Sequence, residues 1–290
     1  MTSRDVADLL KTNKLIRSDW AFQWYIRIEE LRNQIQAGTY SISQSQSVPQ
    51  IANILTRGKV SVKLVTILPD RRLDQVRSDL VNSGFLPADV DQALNPSNYS
   101  GLSIMDFKPV SANLEGLLYP DSFQKNSATS PESIIKESLS EMNQHMTPQL
   151  KTSFSSKGLS VYQGIILASM VQQEVSEPKD QFQVAQVFIK RLNMNMPLGS
   201  DQTAFYGSIV DGRNPSIAHD SPYNTLLHTG LPPTPISNVN DQSLNAVAHP
   251  ANTNWLYFVT GDNGVTYYST TLAEHTQQTQ QYCQKLCSSE

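Results

Sequence analysis

A chain of 290 residues has room for one large domain or two unequal ones, and either can bury a full core. Its 22 basic and 26 acidic side chains give a formal net charge of −4 with no block of like charge, which excludes the electrostatic footprint of a protein that holds nucleic acid or an anionic membrane surface. No window of about 18 uninterrupted apolar residues occurs, so the chain reads as soluble, and the plentiful Ser, Thr, Gln and Asn suit an extracytoplasmic surface.

Taken in chain order, "SRDVADLLKTNKLI" (3–16) and "SDWAFQWYIRIEEL" (18–31) carry apolar residues at three and four spacings behind Ser and Asp caps, which predicts two short helices. "AGTYSIS" (37–43) predicts a strand, and "SVPQIANILTRG" a helix capped by Ser47 and stopped by Gly58. A strand over 62–68 and helices over 70–83, 87–95 and 131–147 follow, separated by Ser, Asn and Pro. Ser160 and Gln163 have capping-box spacing, and Ile165, Leu167, Ala168, Met170 and Val171 continue a helix to an expected stop at Pro178. A second helix is expected over about 180–194, then a long irregular region over 197–253 of the kind that builds sites on rigid scaffolds. "NWLYFVT" and "VTYYST", joined by "GDNG", predict a β-hairpin, and Thr271 with Glu274 opens a polar terminal helix. The near-terminal Cys283 and Cys287 rule out a disulfide framework or a metal quartet, and on a helix at i, i+4 they read as free thiols rather than a bridge.

Glu174 is the anomaly in this pattern. It stands three residues after Val171 and seven after Leu167, and so continues the apolar stripe. Two readings stand. In one, the carboxyl is partly desolvated, its ionised form disfavoured, and it is poised as a general acid. In the other, the helix simply emerges at its last turn and Glu174 is solvated or ion-paired; periodicity alone favours this one. Glu177, next to Pro178, reads as an exposed end residue. The five histidines, His145, His219, His228, His249 and His275, have no HExxH or comparable spacing. No GxSxG elbow, P-loop or GxGxxG occurs. Acid–base work by carboxylates, without cofactor or metal, is the chemistry that remains.

"LASMVQQEV" (167–175), "VAQVFIKRLNMNMPLGSDQTAFYG" (184–207), "YNTLLHTGLPPTPISN" (223–238), "LNAVAHPANTNWLYFV" (244–259), "TLAEHT" (271–276) and the upstream "LEGLLYPDSF" (114–123) occur in the order and spacing of the YceG-like family of endolytic murein transglycosylases. The chain resembles that family over nearly its whole length. The resemblance implies an α+β fold: a small LysM-like α/β module over 1–60, its leading strand absent, then a larger mixed α+β catalytic domain over 61–290 with the β-hairpin and the C-terminal helix. It places the family's catalytic glutamate on Glu174. Glu115, Ser200, Asp201, Thr203, Tyr206, Tyr223, Asn224 and Thr225 match family positions, where they either line a glycan cleft or act as turn caps and buried supports. "GLPPTPI" fits a rigid groove wall, and Trp255 and Tyr257 fit packing better than sugar stacking. The sequence departs from the family pattern at Gln172, Gln173, Gly199 and Gln202, and at "LPDRR" (68–72).

The resemblance further implies cleavage of the β-1,4 bond between N-acetylmuramic acid and N-acetylglucosamine inside a peptidoglycan strand, without water, leaving a 1,6-anhydro end. It implies peptidoglycan glycan strands as substrate, peptidoglycan synthases as partners, and a place on the outer face of the bacterial cytoplasmic membrane, held by an N-terminal anchor that this chain lacks. Two alternatives stand beside it: a glycan-binding scaffold that has lost turnover, motivated by the departures at Gln172, Gly199 and Gln202, and a hydrolase with Asp201 as the candidate second acid.

Overall fold

Helices start where a short polar side chain can accept an orphan backbone N–H, and the computed structural model, which describes residues 3–32, 34–35, 40, 42, 46–57, 63–126, 128–285 and 287, follows that rule at six of the twelve α-helices among those residues. The chain divides into two units, Met1–Val65 with Gln124–Thr129, and Thr66–Phe123 with Ser130–Glu290.

The first unit holds α1 (Ser3–Thr12), α2 (Asp19–Ile28) and α3 (Val48–Arg57). Ser18 caps α2 by accepting the Ala21 N–H at 3.3 Å. The apolar stripes of the helices meet in one cluster, with Leu10, Phe22, Ile26, Ile51 and Leu55 buried in it. Of the strand expected over 37–43 only Tyr40 and Ile42 are among the described residues, and the stop at Gly58 lies outside them. β1 (Lys63–Thr66) and β2 (Ser122–Lys125) form a two-stranded sheet.

The second unit contains α4 (Leu73–Asn82), α5 (Pro87–Ala93), α6 (Pro131–His145), α7 (Pro148–Ser156), α8 (Val161–Glu174), α9 (Pro178–Asn193), α10 (Asp201–Val210), α11 (Asp241–Ala248), the hairpin β3 (Tyr257–Thr260) with β4 (Thr266–Ser269), and α12 (Leu272–Tyr282). Mixed helices and small sheets make the fold α+β. Helix α8 organises the unit. It is buried on every side from Tyr162 to Gln172 apart from Gln163, and α7, α9, α10 and α11 pack around it. A helix apolar all round belongs in the interior of a large domain. The capping box forms as expected, with Gln163 N–H donating to Ser160 Oγ at 3.2 Å and Ser160 N–H to Gln163 Oε1 at 2.9 Å.

The structure corrects three expectations. Helix α8 ends at Glu174, and Pro178 opens α9 instead of stopping α8. A proline fits the first helical turn because its missing N–H would be unbonded there, and Gln181 Nε2 closes the joint by donating to Val175 O at 2.9 Å. The region 197–253 is not uniformly irregular, since α10 and α11 lie inside it. Cys283 and Cys287 are a disulfide and not free thiols. The thiol expectation assumed a helix through both residues. Helix α12 stops at Tyr282 instead, and the turned chain brings the two Cα atoms to 5.4 Å, inside the bridging range. Asp262, in the hairpin turn, holds this tail by accepting the N–H groups of Gln284 and Lys285 at 3.0 Å each.

Candidate active site

Glu174 is the last residue of α8 and is half-buried. Ser200, the residue before α10, donates its hydroxyl to Glu174 Oε1. Ser200 is itself held from several sides. Its N–H donates to Thr225 Oγ1 at 3.1 Å, its carbonyl accepts from Thr203 Oγ1 at 2.6 Å, and the Thr203 and Thr225 hydroxyls meet at 2.8 Å. All three residues are buried, and their hydrogen bonds converge on the Ser200 hydroxyl that holds the Glu174 carboxyl.

Arg191, in the last turn of α9, braces the same loop. Its Nη1 donates to Leu198 O at 2.6 Å, its Nε to Leu256 O at 2.7 Å, and its guanidinium lies 5.1 Å from the Tyr257 ring centre. Burial lowers its pKa from the ordinary value, opposed by the charges of Tyr257 and Glu174, so guanidinium and carboxyl are within electrostatic reach. A Cβ at Gly199 would stand 2.9 Å from Arg191 Nη1, so the close approach of this clamp depends on the glycine. Trp255 and Tyr257, both half-buried, stack on Tyr268 and His275 with ring centres at 6.3 and 5.3 Å. Arg191 was missed in the sequence: a single arginine near a helix end carries no local signature.

A second polar cluster shares α10, one turn on. Both carboxyl oxygens of Glu115 accept the Leu73 N–H at 3.0 Å, and Oε2 accepts Tyr206 Oη at 3.0 Å. The Tyr206 and Tyr223 rings meet at 4.8 Å, and Tyr223 Oη lies 3.0 Å from Thr234 Oγ1. Glu115 thus ties α4, α10 and the proline-rich wall. That wall is pinned to α8 where Ile236 N–H donates to Ser169 Oγ at 3.0 Å. Asn224 is a buried strut, donating to Ile217 O and His219 O at 2.8 Å each. Asp201 is half-buried at the first position of α10, where a negative charge suits the helix dipole.

Burial pushes the Glu115 pKa up from 4.5 to about 7, against the Leu73 and Tyr206 hydrogen bonds that lower it. A carboxyl whose folded pKa is raised stabilises the fold fully below about pH 4.5, and that contribution drains away as pH climbs to about 7. The loss by pH 8 is about 3 kcal/mol. Glu115→Gln should therefore flatten the fall in stability between pH 4.5 and 7, checked by urea unfolding at both ends. Equal pH slopes in the two proteins would show that Glu115 does not titrate there.

The profile of the YceG-like family matches residues 1–281. The chain is 29% identical over 296 residues to a protein named endolytic murein transglycosylase from Bacillus subtilis, covering 96% of this chain and 81% of that one. It is 26% identical over 305 residues to a protein of the same name from Streptococcus pneumoniae, and there it spans only 55% of the relative's length. A crystal structure of a YceG-like protein from Listeria monocytogenes shares the fold with a TM-score of 0.66 at 27% identity, covering 96% of this chain and 95% of that one. With a family profile matched from the first residue into the last helix, this chain belongs to the YceG-like family.

Proposed function

We propose that this chain is an endolytic murein transglycosylase with Glu174 as its acid and base. The observation that carries the reading is a single half-buried carboxyl at the end of the central helix, aimed by the Ser200–Thr203–Thr225 network. An ordinary glycosidase uses a second carboxylate as nucleophile or water activator. Here the substrate supplies the nucleophile. Protonated Glu174 gives its proton to the glycosidic oxygen as the bond to the muramic acid C1 breaks. The C6 hydroxyl of the same sugar then attacks C1, and its proton passes to Glu174, which returns to its starting state. No water is consumed, and the intramolecular attack gains a high effective molarity.

The products distinguish the alternatives. Purified glycan strands incubated with the protein should yield 1,6-anhydro-muramyl ends, lighter by one water than reducing ends in the mass spectrum. Reducing ends would make the protein a hydrolase, and bound but uncut strands would make it a scaffold. The reading extends to a LysM-like module over 1–60 and a catalytic domain over 61–290, to peptidoglycan synthases as partners, and to the outer face of the cytoplasmic membrane. The Cys283–Cys287 bridge supports that last placement, because disulfides persist in oxidising compartments.

A further inference from the structure

Between the end of α8 and the start of α10 lies a cavity of about 130 Å³, its lining including Asp70, Arg72, Gln173, Gln202, Phe205 and Ile236. An apolar cavity of about 150 Å³ can hold benzene, so a group of a few non-hydrogen atoms fits here. Asp70 is held there firmly. It has a left-handed φ of 63°, uncommon for a residue other than glycine, and Gln173 Nε2 grips its carbonyl at 2.9 Å. Although the residue as a whole is exposed, its carboxyl faces Gln172; burial raises its pKa and the Gln172 hydrogen bond lowers it. The Oε1 of Gln172, a residue more than nine-tenths buried, has no protein partner.

The lining selects its ligand. Arg72 is engaged bidentately by Asp74, at 2.9 Å from both Nε and Nη2, so the cavity is not built around an anion. Gln75 spends its oxygen on the Arg72 N–H at 3.0 Å, and Gln173 its nitrogen on Asp70. The Asp70 carboxylate, which has acceptor sites beyond the one Gln172 takes, and the Gln202 carboxamide face the apolar Phe205 and Ile236. A ligand that matches carries one N–H, one carbonyl and a methyl. We propose that this cavity is the subsite for an acetamido group of the glycan, with Asp70 accepting its N–H, Gln202 donating to its carbonyl, and Phe205 and Ile236 taking its methyl. The proposal rests on the transglycosylase reading, whose polymer carries such a group on each sugar.

Titration calorimetry on the full chain carrying Glu174→Gln, which blocks turnover, tests it with two probes: a tetramer of N-acetylglucosamine and its fully deacetylated counterpart. The acetylated tetramer should bind about tenfold tighter or more, since two hydrogen bonds and a buried methyl are at stake. Adding Asp70→Asn or Gln202→Ala should cut that ratio to about threefold or less. Asn tolerates the left-handed backbone and Ala the helix, so both variants should keep the fold, checked by their melting curves. An unchanged ratio in both variants overturns the assignment. So does tighter binding of the amine form that Asp70→Asn abolishes, which would make the cavity a cation site. The anhydro-end assay on the parent protein is read separately, so the reaction and the subsite can fail independently.

Discussion

Glu174→Gln should fold as the parent does and lose at least about 10³-fold in the rate of anhydro-end formation. Each proton transfer by a positioned acid or base is worth roughly 10²- to 10⁴-fold, and one residue performs both transfers here. The substitution is nearly isosteric, and the glutamine oxygen can still accept from Ser200 Oγ, so the surrounding network has no reason to rearrange. Glu177→Gln, three residues on and exposed, should change the rate less than about twofold, as surface substitutions do. Rates are read by mass spectrometry of strand ends, and folding by far-ultraviolet dichroism. If the Glu174→Gln variant retained about a tenth of the parent rate, another group would have to be the acid.

Gly116→Ala should destabilise the second unit by about 2 to 5 kcal/mol, a large share of the stability of any domain. Gly116 has φ +74°, which costs a side chain about 1–2 kcal/mol. An added Cβ would also stand 2.3 and 2.5 Å from the Pro235 ring carbons, and wedging into a rigid neighbour costs about 1–3 kcal/mol more. Gly158 is the control. It has nearly the same backbone, φ +76°, with nothing within 4 Å of its Cβ position, so Gly158→Ala should show the backbone cost alone. Urea unfolding of the two variants checks this, and equal losses would mean that the Pro235 contact yields. Because Gly116 follows Glu115 and Pro235 precedes Ile236, the Gly116 variant should also slow turnover by displacing the groove wall.

What could be read in the sequence was local. The Ser160–Gln163 and Thr271–Glu274 boxes formed, because each is complete within four residues. Helix α7 carried a readable start, Thr147 before Pro148, but it buries only Leu150 and Phe154 and shows little apolar rhythm. Helix α10 was hidden for the opposite reason: it is enclosed by neighbours and has little amphipathic contrast. Pro178 misled because a proline stops one helix and starts the next equally well. The site was legible only where the family motifs reached it. Periodicity offered a desolvated acid or a solvated end for Glu174; the structure places it half-buried on a hydroxyl from 26 residues away. Glu115 meets the Leu73 N–H across 42 residues and Gln173 meets Asp70 across 103, and no local pattern encodes such pairs.

The hydroxyl network also carries a direction. A hydroxyl has one proton to give. Thr203 gives its own to Ser200 O, so between Thr203 and Thr225 the donor is Thr225, which in turn accepts the Ser200 N–H. The Ser200 proton points at Glu174 Oε1. Oε1 is therefore already engaged as an acceptor before any sugar arrives, and Ser200 fixes which way that edge of the carboxyl faces.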